Sequence, residues 1–133
     1  GRNGWVTTPT HLIDVMATCV DLGIAEYPKS FEGEAMTPMA GQSLSPLLTG
    51  EGEFADRPLY WEHEGNAAIR VGDWKLVRQG LKGKWEYFDL KNDRTEQVNL
   101  AEKYPVEVAK LREQWRIWAR SANVFPKPPK KSD

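Results

Sequence analysis

The sequence contains few of the residues that build disulfides, metal sites or redox centres. Its 133 residues include one cysteine and two histidines. A single cysteine excludes an internal disulfide and any site with several thiolate ligands, so packing must hold the fold together. Cys19 lies on the apolar stripe of a helical pattern, without a catalytic residue beside it. We therefore expect a buried, inert thiol in the core.

The chain also lacks an excess of charge of one sign and long apolar runs. Eighteen Lys and Arg residues against nineteen Asp and Glu residues leave a formal charge of -1. Such a chain has no net positive field to attract nucleic acid or an anionic membrane surface. No segment reaches the ~20 apolar residues that a bilayer span needs, and no charged-then-apolar leader opens the chain. We expect neither a nucleic-acid nor a membrane partner, and the length predicts one ordinary core.

A helix is predicted near the N-terminus, because apolar residues recur every three or four positions from Leu12 onward. We place this helix over residues 9–22. Thr8 is its expected N-cap, with Pro9 in the first turn. Gly23 is expected to end it at the C′ position.

Proline and glycine recur through residues 24–58, which favours an irregular connection over long regular elements. Within this connection a single helical turn is predicted. Ser45 would cap the turn, Pro46 would occupy its first position, and Gly50 would end it.

Short β-rich runs separated by glycine turns begin at Leu59. Four such runs predict an antiparallel meander. The runs cover residues 59–64, 67–71, 74–78 and 85–90. A second helix is predicted over residues 105–122, with an apolar stripe that covers the sheet.

The predicted fold class is α+β. Residues 1–57 contribute the amphipathic helix and the irregular Pro- and Gly-rich connection. Residues 58–123 form the small four-stranded antiparallel sheet covered by the C-terminal helix. Residues 124–133 form a Pro- and Lys-rich tail that we expect to be extended or frayed.

Six tryptophans are an unusual number for a chain of this length. We expect Trp74, Trp85, Trp115 and Trp118 to fill the core between the sheet and the helix, because a domain with few leucines can pack tryptophan instead. An exposed aromatic platform for sugars or bases is the alternative. Trp61 alone flanks a turn where it could meet a ligand.

His63 is the most interesting candidate for chemistry, because it lies at a strand end beside a glycine turn. The two-residue period of a strand places His63 and Trp61 on one face and Glu62 and Glu64 on the other. The neighbouring carboxylates are therefore not automatic partners of the imidazole. An exposed polar strand end without a function explains the same residues.

The remaining polar groups have structural explanations. His11 lies in the first turn of the predicted helix, where a ring can cap the helix or fill a pocket. Asp89, Asn92, Asp93 and Glu96 are not spaced as a calcium loop requires, and a turn with Asx hydrogen bonds explains them better. No metal site is predicted.

Four segments, taken in order, resemble the C-terminal part of arylsulfatase-type sulfatases. They are THLIDVMAT at residues 10–18, GQSLSPLL at 41–48, WEHEGNAAIRVGDWKL at 61–76 and YFDLKNDRTEQVNL at 87–100. The resemblance extends over residues 8–122. No single segment would be decisive, but the ordered set is highly specific.

The resemblance implies a parent enzyme that hydrolyses sulfate esters with a formylglycine nucleophile beside a calcium ion. That nucleophile is made within a Cys/Ser-x-Pro-Ser-Arg motif, which this sequence does not contain. No catalytic or metal residue of the family can therefore be placed on this chain, and no cofactor is expected in it. We expect a C-terminal portion that is inactive by itself, and Gly1 in place of Met agrees with excision from a longer protein.

The same resemblance implies that the strand-rich part borders the substrate cleft. It gives His63, Glu64 and Asn66 as the expected substrate-binding residues, with His63 donating a hydrogen bond to the sulfate or the sugar. The alternative is a stand-alone accessory module that binds carbohydrate or protein without catalysis.

A missing N-terminal sulfatase domain is the partner that this interpretation implies. The stripe Leu12, Val15, Met16 and Cys19 would pack against that domain, or against a second copy of the chain. A periodic pattern cannot decide between these partners. The chain carries no targeting signal of its own, and a periplasmic or secreted location is compatible with the parent.

Overall fold

The computed structural model describes residues 5–51 and 54–125. These residues divide into two compact units, with the boundary between Ala55 and Asp56. The first unit contains two short helices and a small hairpin. The second contains the main sheet and the long helix.

Helix α1 spans Ile13–Leu22, so it begins later than the predicted residue 9. The expected cap at Thr8 is wrong. The backbone N–H of His11 donates to the Asp14 carboxylate over 2.8 Å, and the N–H of Ile13 donates to Nδ1 of His11 over 3.3 Å. These side chains satisfy donors at the start of the helix, which is why it begins there.

The end of α1 also differs from the prediction by one residue. Gly23 has a right-handed conformation with φ of -79°, and Ile24 adopts the left-handed one with φ of 50°. The N–H groups of residues 23–25 still satisfy carbonyls of the last turn. A residue of left-handed conformation therefore ends the helix, as a C′ residue does, but that residue is Ile24 and not the predicted glycine.

The buried residues of α1 are small or polar. They are Asp14, Ala17 and Thr18. Asp14 accepts a hydrogen bond from the N–H of Gln42 over 2.9 Å, and Oγ1 of Thr18 accepts one from the N–H of Leu44 over 2.9 Å. Long-range hydrogen bonds therefore fasten the helix to the segment that follows the hairpin.

The apolar stripe of α1 is exposed, and the prediction that Cys19 is a core residue is wrong. Cys19 is exposed. Leu12, Val15 and Met16 are 82%, 51% and 60% exposed. The polar contacts of Asp14 and Thr18 orient the helix, and they turn its apolar face away from the rest of the unit.

The connection after α1 is more regular than predicted. Strands β1 (Ser30–Phe31) and β2 (Glu34–Ala35) form a hairpin. Its turn residues Glu32 and Gly33 both have positive φ, at 50° and 84°, the conformation that tight hairpin turns need. Strands of two residues are too short to show a period, so the sequence pattern could not reveal them.

Helix α2 spans Ser45–Thr49 and ends at Gly50, which adopts the predicted left-handed conformation with φ of 76°. The sequence predicts Ser45 as the cap of this helix, but Ser45 is its first residue. Oγ of Ser43 instead accepts the Ser45 N–H over 3.1 Å.

The second unit confirms the predicted four-stranded antiparallel sheet. Its strands are β3 (Leu59–His63), β4 (Asn66–Val71), β5 (Trp74–Arg78) and β6 (Trp85–Asp89), in the order β3-β4-β5-β6. Each strand pairs with the next one along the chain, so β3 and β6 are the two edges. The α+β fold class is confirmed.

Helix α3 spans Pro105–Ser121 and packs on one face of the sheet. The buried core between them includes Ala67, Ile69, Leu76, Tyr87, Leu111, Trp115 and Ala119. Trp74, Trp85 and Trp118 pack against this cluster while partly exposed. All four tryptophans that the sequence predicts for the core therefore contribute to it: Trp115 is buried, and the other three pack against the buried cluster.

Trp115 connects the helix to an edge of the sheet. Its side chain is 2% exposed, and its indole N–H donates to the backbone carbonyl of Trp61 in β3 over 3.0 Å. The ring also contacts Trp85, with centroids 5.7 Å apart, and Phe125 at 6.2 Å. One side chain thus joins α3, both edge strands and the end of the described chain.

The polar segment after β6 is a turn built by side chains, as predicted. Asp89 accepts from the N–H of Lys91 over 3.0 Å, and Asp93 accepts from the N–H groups of Gln97 and Val98 over 3.0 and 2.8 Å. These hydrogen bonds lower the pKa of Asp93. They also occupy the carboxylate with backbone donors.

The predicted tail falls mostly outside the described residues. Val124 packs against the core and its N–H donates to Ala119. Residues 126–133 are outside the described part of the chain, so their predicted extended conformation stays a prediction. In residues 5–51 and 54–125, no helix has the length and apolar character needed to cross a membrane.

Replacing Trp115 by Phe tests its connecting role. We expect Trp115→Phe to lower the free energy of unfolding by about 2 kcal/mol, because the carbonyl of Trp61 loses its donor and the smaller ring leaves a gap. Trp118→Phe is the control, since Trp118 stacks on Tyr60 at the margin of the core. Urea titration measures both variants, and equal losses would contradict the role given to Trp115.

The buried phenol of Tyr87 predicts a loss of stability at alkaline pH. Burial first, and then the charge of Glu107, raises the pKa of Tyr87 from 10.0 to about 12. The folded chain therefore keeps this proton where the unfolded chain releases it, and stability falls as the pH rises from about 10 to about 12. Tyr87→Phe should show a smaller fall in the urea midpoint over this window. An identical fall in both proteins would contradict the assignment.

Candidate functional site

The turn between β3 and β4 determines how the candidate residues are placed. Glu64 and Gly65 form this turn, with φ values of 51° and 85°. Two consecutive residues of positive φ match the twist of the strands that they join. The turn pairs His63 directly with Asn66 across the two strands. Side chains at such opposed positions lie close enough to act on one ligand.

Strand alternation turns His63 away from helix α3. Tyr60 lies on the face packed by α3, so Trp61 and His63 lie on the opposite face together with Asn66. On that face there is a shallow depression of about 310 Å³. It is lined by Trp61, His63, Asn66, Ala67, Ala68, Lys75, Val77, Arg78 and Gln79.

Among the three predicted substrate-binding residues, His63 and Asn66 line the depression and Glu64 does not. The side chains of His63 and Glu64 are 81% and 83% exposed. A Glu64 carboxylate oxygen lies 3.9 Å from Nδ1 of His63, which is an ion-pair distance when the ring is protonated. Glu64 therefore lies beside the imidazole but outside the set of residues that line the depression.

Asn66 also has a structural task. Its Oδ1 accepts the backbone N–H of Gly80 over 2.8 Å, which fixes the loop after β5 against the start of β4. With the oxygen occupied, the side-chain NH₂ group remains as a donor toward a ligand. Asn66 can therefore hold the rim of the depression and bind at the same time.

Glu62 is held on the other side of the turn. Its carboxylate accepts the N–H of Gly65 over 2.8 Å. This bond supports the tight turn and leaves Glu62 away from the depression that His63 lines. The expected separation of His63 from Glu62 is therefore present in the structure.

Lys75 was not predicted as a site residue, although it lines the depression. It forms an ion pair with Glu96 at 2.5 Å, and both side chains are partly exposed. The alternation of β5 contained the signal, because Lys75 and Val77 share a face. The alternation shows that Lys75 faces the depression only once the strand register, which pairs Ala68 with Val77, is known.

The side chains that line the depression include several that can bind a ligand. Within the described parts of the chain, no three His, Cys, Asp or Glu residues are grouped so that they could hold a metal ion. Cys19 is on α1 in the other unit. The depression offers an imidazole, an amide, an ammonium group and the ring of Trp61, which is 38% exposed. These groups suit a polar or anionic ligand with one flat face.

No family model matches the sequence. The chain is 28% identical over 123 residues to an uncharacterized sulfatase of Schizosaccharomyces pombe, a match that covers 88% of this chain and 22% of the relative. A solved 2-O GAG sulfatase is 25% identical with a TM-score of 0.60, and the match covers 83% of this chain and 24% of that one.

A third protein, BT4656, was solved in complex with its substrate D-glucosamine-2-N,6-O-disulfate. It is 21% identical to this chain with a TM-score of 0.59, over 90% of this chain and 25% of that one. This likeness concerns the fold. The chain thus spans between a fifth and a quarter of the length of these relatives. Its resemblance to the C-terminal part of sulfatases, predicted from four ordered segments, is confirmed.

Proposed function

We propose that this chain is the C-terminal portion of an enzyme that hydrolyses sulfate esters, and that it completes the fold of that enzyme and borders its substrate cleft. The observation that carries this proposal is the match to sulfatases over almost the whole chain but only 22% to 25% of their length. The sheet and α3 would serve as the scaffold. The turn at Glu64 and Gly65 would contribute the contacts with substrate.

The catalytic groups of such a parent would come from another part of it. Cys19 is followed by Val20 and Asp21, which does not fit the Cys/Ser-x-Pro-Ser-Arg motif, and the motif is absent from the sequence. The acidic residues of the described chain do not group as a calcium site. The calcium ion and the formylglycine nucleophile do not fit this chain, so we derive no catalytic step within it.

The exposed face of α1 supports a missing N-terminal domain as the partner. Leu12, Val15 and Met16 form a contiguous apolar surface with the exposed Cys19. Soluble proteins seldom leave such a surface uncovered, because burying it removes apolar area from water. In the parent this face would pack on the large domain. Self-association through the same face is the expected behaviour of the chain by itself.

His63 would bind the substrate by donating a hydrogen bond to an oxygen of the sulfate or the sugar. Its exposed ring is free to approach a ligand. Asn66, directly opposite, would donate from its NH₂ group while its oxygen is held by Gly80. Glu64 would accept a hydroxyl or attract the protonated imidazole, and Trp61 would contact the flat face of a sugar ring.

A sulfated sugar is the substrate class that these groups favour. An aromatic ring beside several hydrogen-bond donors matches a pyranose that carries an acceptor-rich sulfate group. The named relatives support the choice, since one is a 2-O GAG sulfatase and another is bound to a disulfated glucosamine. We propose that the parent is located in the periplasm or outside the cell, where sulfated glycans would be accessible to it.

The role of His63 is tested in the full-length parent. His63→Ala should lower kcat/KM for a sulfate ester about tenfold, because a hydrogen bond to an anionic substrate is lost. The effect should fall on KM, since His63 is proposed to bind and not to react. Glu86→Ala is the control, because Glu86 is exposed on the same sheet face and does not line the depression. Unchanged kinetics in His63→Ala would refute the assignment.

The 133-residue chain alone is expected to have no sulfatase activity, because it lacks the motif for the nucleophile. Turnover of a chromogenic sulfate ester is measured for the chain alone and for the product of its complete reading frame. Activity should appear only in the second, whose upstream part should contain Cys/Ser-x-Pro-Ser-Arg. Turnover by the chain alone would contradict the proposal.

A stand-alone binding module is the second candidate function. The exposed ring of Trp61 beside the depression favours it, because that surface could bind sugar without catalysis. A reading frame that starts immediately before Gly1 would select this candidate. A frame that continues upstream through the nucleophile motif would select the sulfatase.

A further inference from the structure

A second depression lies on the other side of the sheet, where α3 meets the ends of β5 and β6. Its volume is about 340 Å³. It is lined by Arg78, Trp85, Arg112, Trp115, Arg116 and Phe125. Three guanidinium groups and three aromatic rings therefore meet in a small space. We call this depression the arginine pocket.

Arg78 is held in place by aromatic rings. Its guanidinium carbon lies 5.0 Å from the ring centroid of Trp85, its direct cross-strand partner, and 5.6 Å from that of Trp115. Cation–π contacts of this kind fix the plane of the guanidinium. A group whose orientation is already fixed loses little conformational entropy when it binds a ligand.

The hydrogen-bonding capacity of Arg78 is largely unused within the described part of the chain. Its Nη2 donates to the carbonyl of Gly65 over 3.4 Å, at the outer limit of a hydrogen bond. Its buried Nε has no hydrogen-bond partner. A guanidinium group has five N–H donors, so the terminal nitrogens of Arg78 keep donors beyond this long contact that can serve a ligand.

Arg112 and Arg116 supply the second side of the pocket. They lie four residues apart on α3, so both side chains project on the same helical face. Arg116 is 3.6 Å from the carboxylate of Glu113, and both are about half exposed. Within residues 5–51 and 54–125, Arg112 forms no ion pair. The three positive charges are thus opposed by one exposed carboxylate.

We propose that the arginine pocket binds an oxyanion, either a sulfate or a carboxylate group. Planar guanidinium groups match the oxygens of these anions in pairs, and convergent groups in a partly apolar pocket bind them more strongly than an isolated side chain does. No residue lining the pocket is acidic, so an anion entering it meets no repulsive group there.

The arginine pocket meets the depression of His63 at Arg78, which lines both. An anionic saccharide chain could therefore contact both at the same end of the sheet. Anion binding in the arginine pocket does not depend on the proposed sulfatase function. It would persist in a stand-alone module, and its failure would leave the assignment of His63 intact.

The test is a titration of the full 133-residue chain, labelled with ¹⁵N and followed by NMR at constant ionic strength. Sodium sulfate and sodium acetate are the probes, with sodium chloride as the reference salt. Saturable shifts are expected for the Nε–H of Arg78 and the indole N–H of Trp85. Shifts that do not saturate, or that are equal in chloride, would overturn the proposal.

A matched pair of variants separates the pocket from general charge. Arg112→Gln combined with Arg116→Gln should weaken sulfate binding at least about tenfold, because two charged donors are lost. Lys91→Gln combined with Arg94→Gln removes the same charge from exposed positions outside the pocket, and should leave the affinity unchanged. Equal losses in both double variants would overturn the proposal.

Glucose 6-sulfate and glucuronate then distinguish the two sources of the anion. Tighter binding of either one supports the pocket and identifies its group. The position of the shifts separates the arginine pocket from the depression of His63. Sulfate should shift the indole N–H of Trp85, which lines the arginine pocket and not the other depression. Sulfate shifts confined to the backbone N–H groups of His63 and Asn66 would place the anion there instead and overturn the proposal.

Discussion

The hydrogen bond from the indole of Trp115 to the carbonyl of Trp61 is the contact on which the second unit depends. A buried indole N–H needs an acceptor, and the acceptor it finds fixes the position of α3 relative to strand β3. The buried indole joins α3 to a carbonyl of edge strand β3. The same ring packs against Trp85 and lies beneath Arg78. Core packing and the arrangement of the arginine pocket therefore share one side chain.

The sheet separates two kinds of chemistry on its two faces. Because side chains alternate along a strand, His63 and Asn66 line a depression on one face, whereas Arg112 and Arg116 act on the face covered by α3. Arg78 contributes to both depressions because it lies at the end of β5. A scaffold of five-residue and six-residue strands can thus present an imidazole, an amide and an ammonium group on one side and a cluster of guanidinium groups on the other.

In the first unit, polar contacts hold the helix, whereas apolar packing dominates the core of the second unit. Asp14 and Thr18 are buried and bind the backbone of the segment at Gln42 and Leu44. Buried polar groups need such partners, and providing them determined which side of α1 faces inward. The apolar stripe was left outward as a consequence. Under the proposed function, this outward stripe would contact another part of a larger protein.

Local patterns in the sequence determined much of this protein. The period of the strands, the glycine turns and the stripe of α3 predicted the sheet, its order and its covering helix, because each depends on residues close in the chain. The four ordered segments predicted the likeness to sulfatases. Tertiary structure alone decided that Cys19 is exposed, because the orientation of α1 depends on hydrogen bonds to residues more than twenty positions away. It also brought Lys75 to His63 and Arg78 to Arg112, since strand register and helix packing join residues that no local period connects.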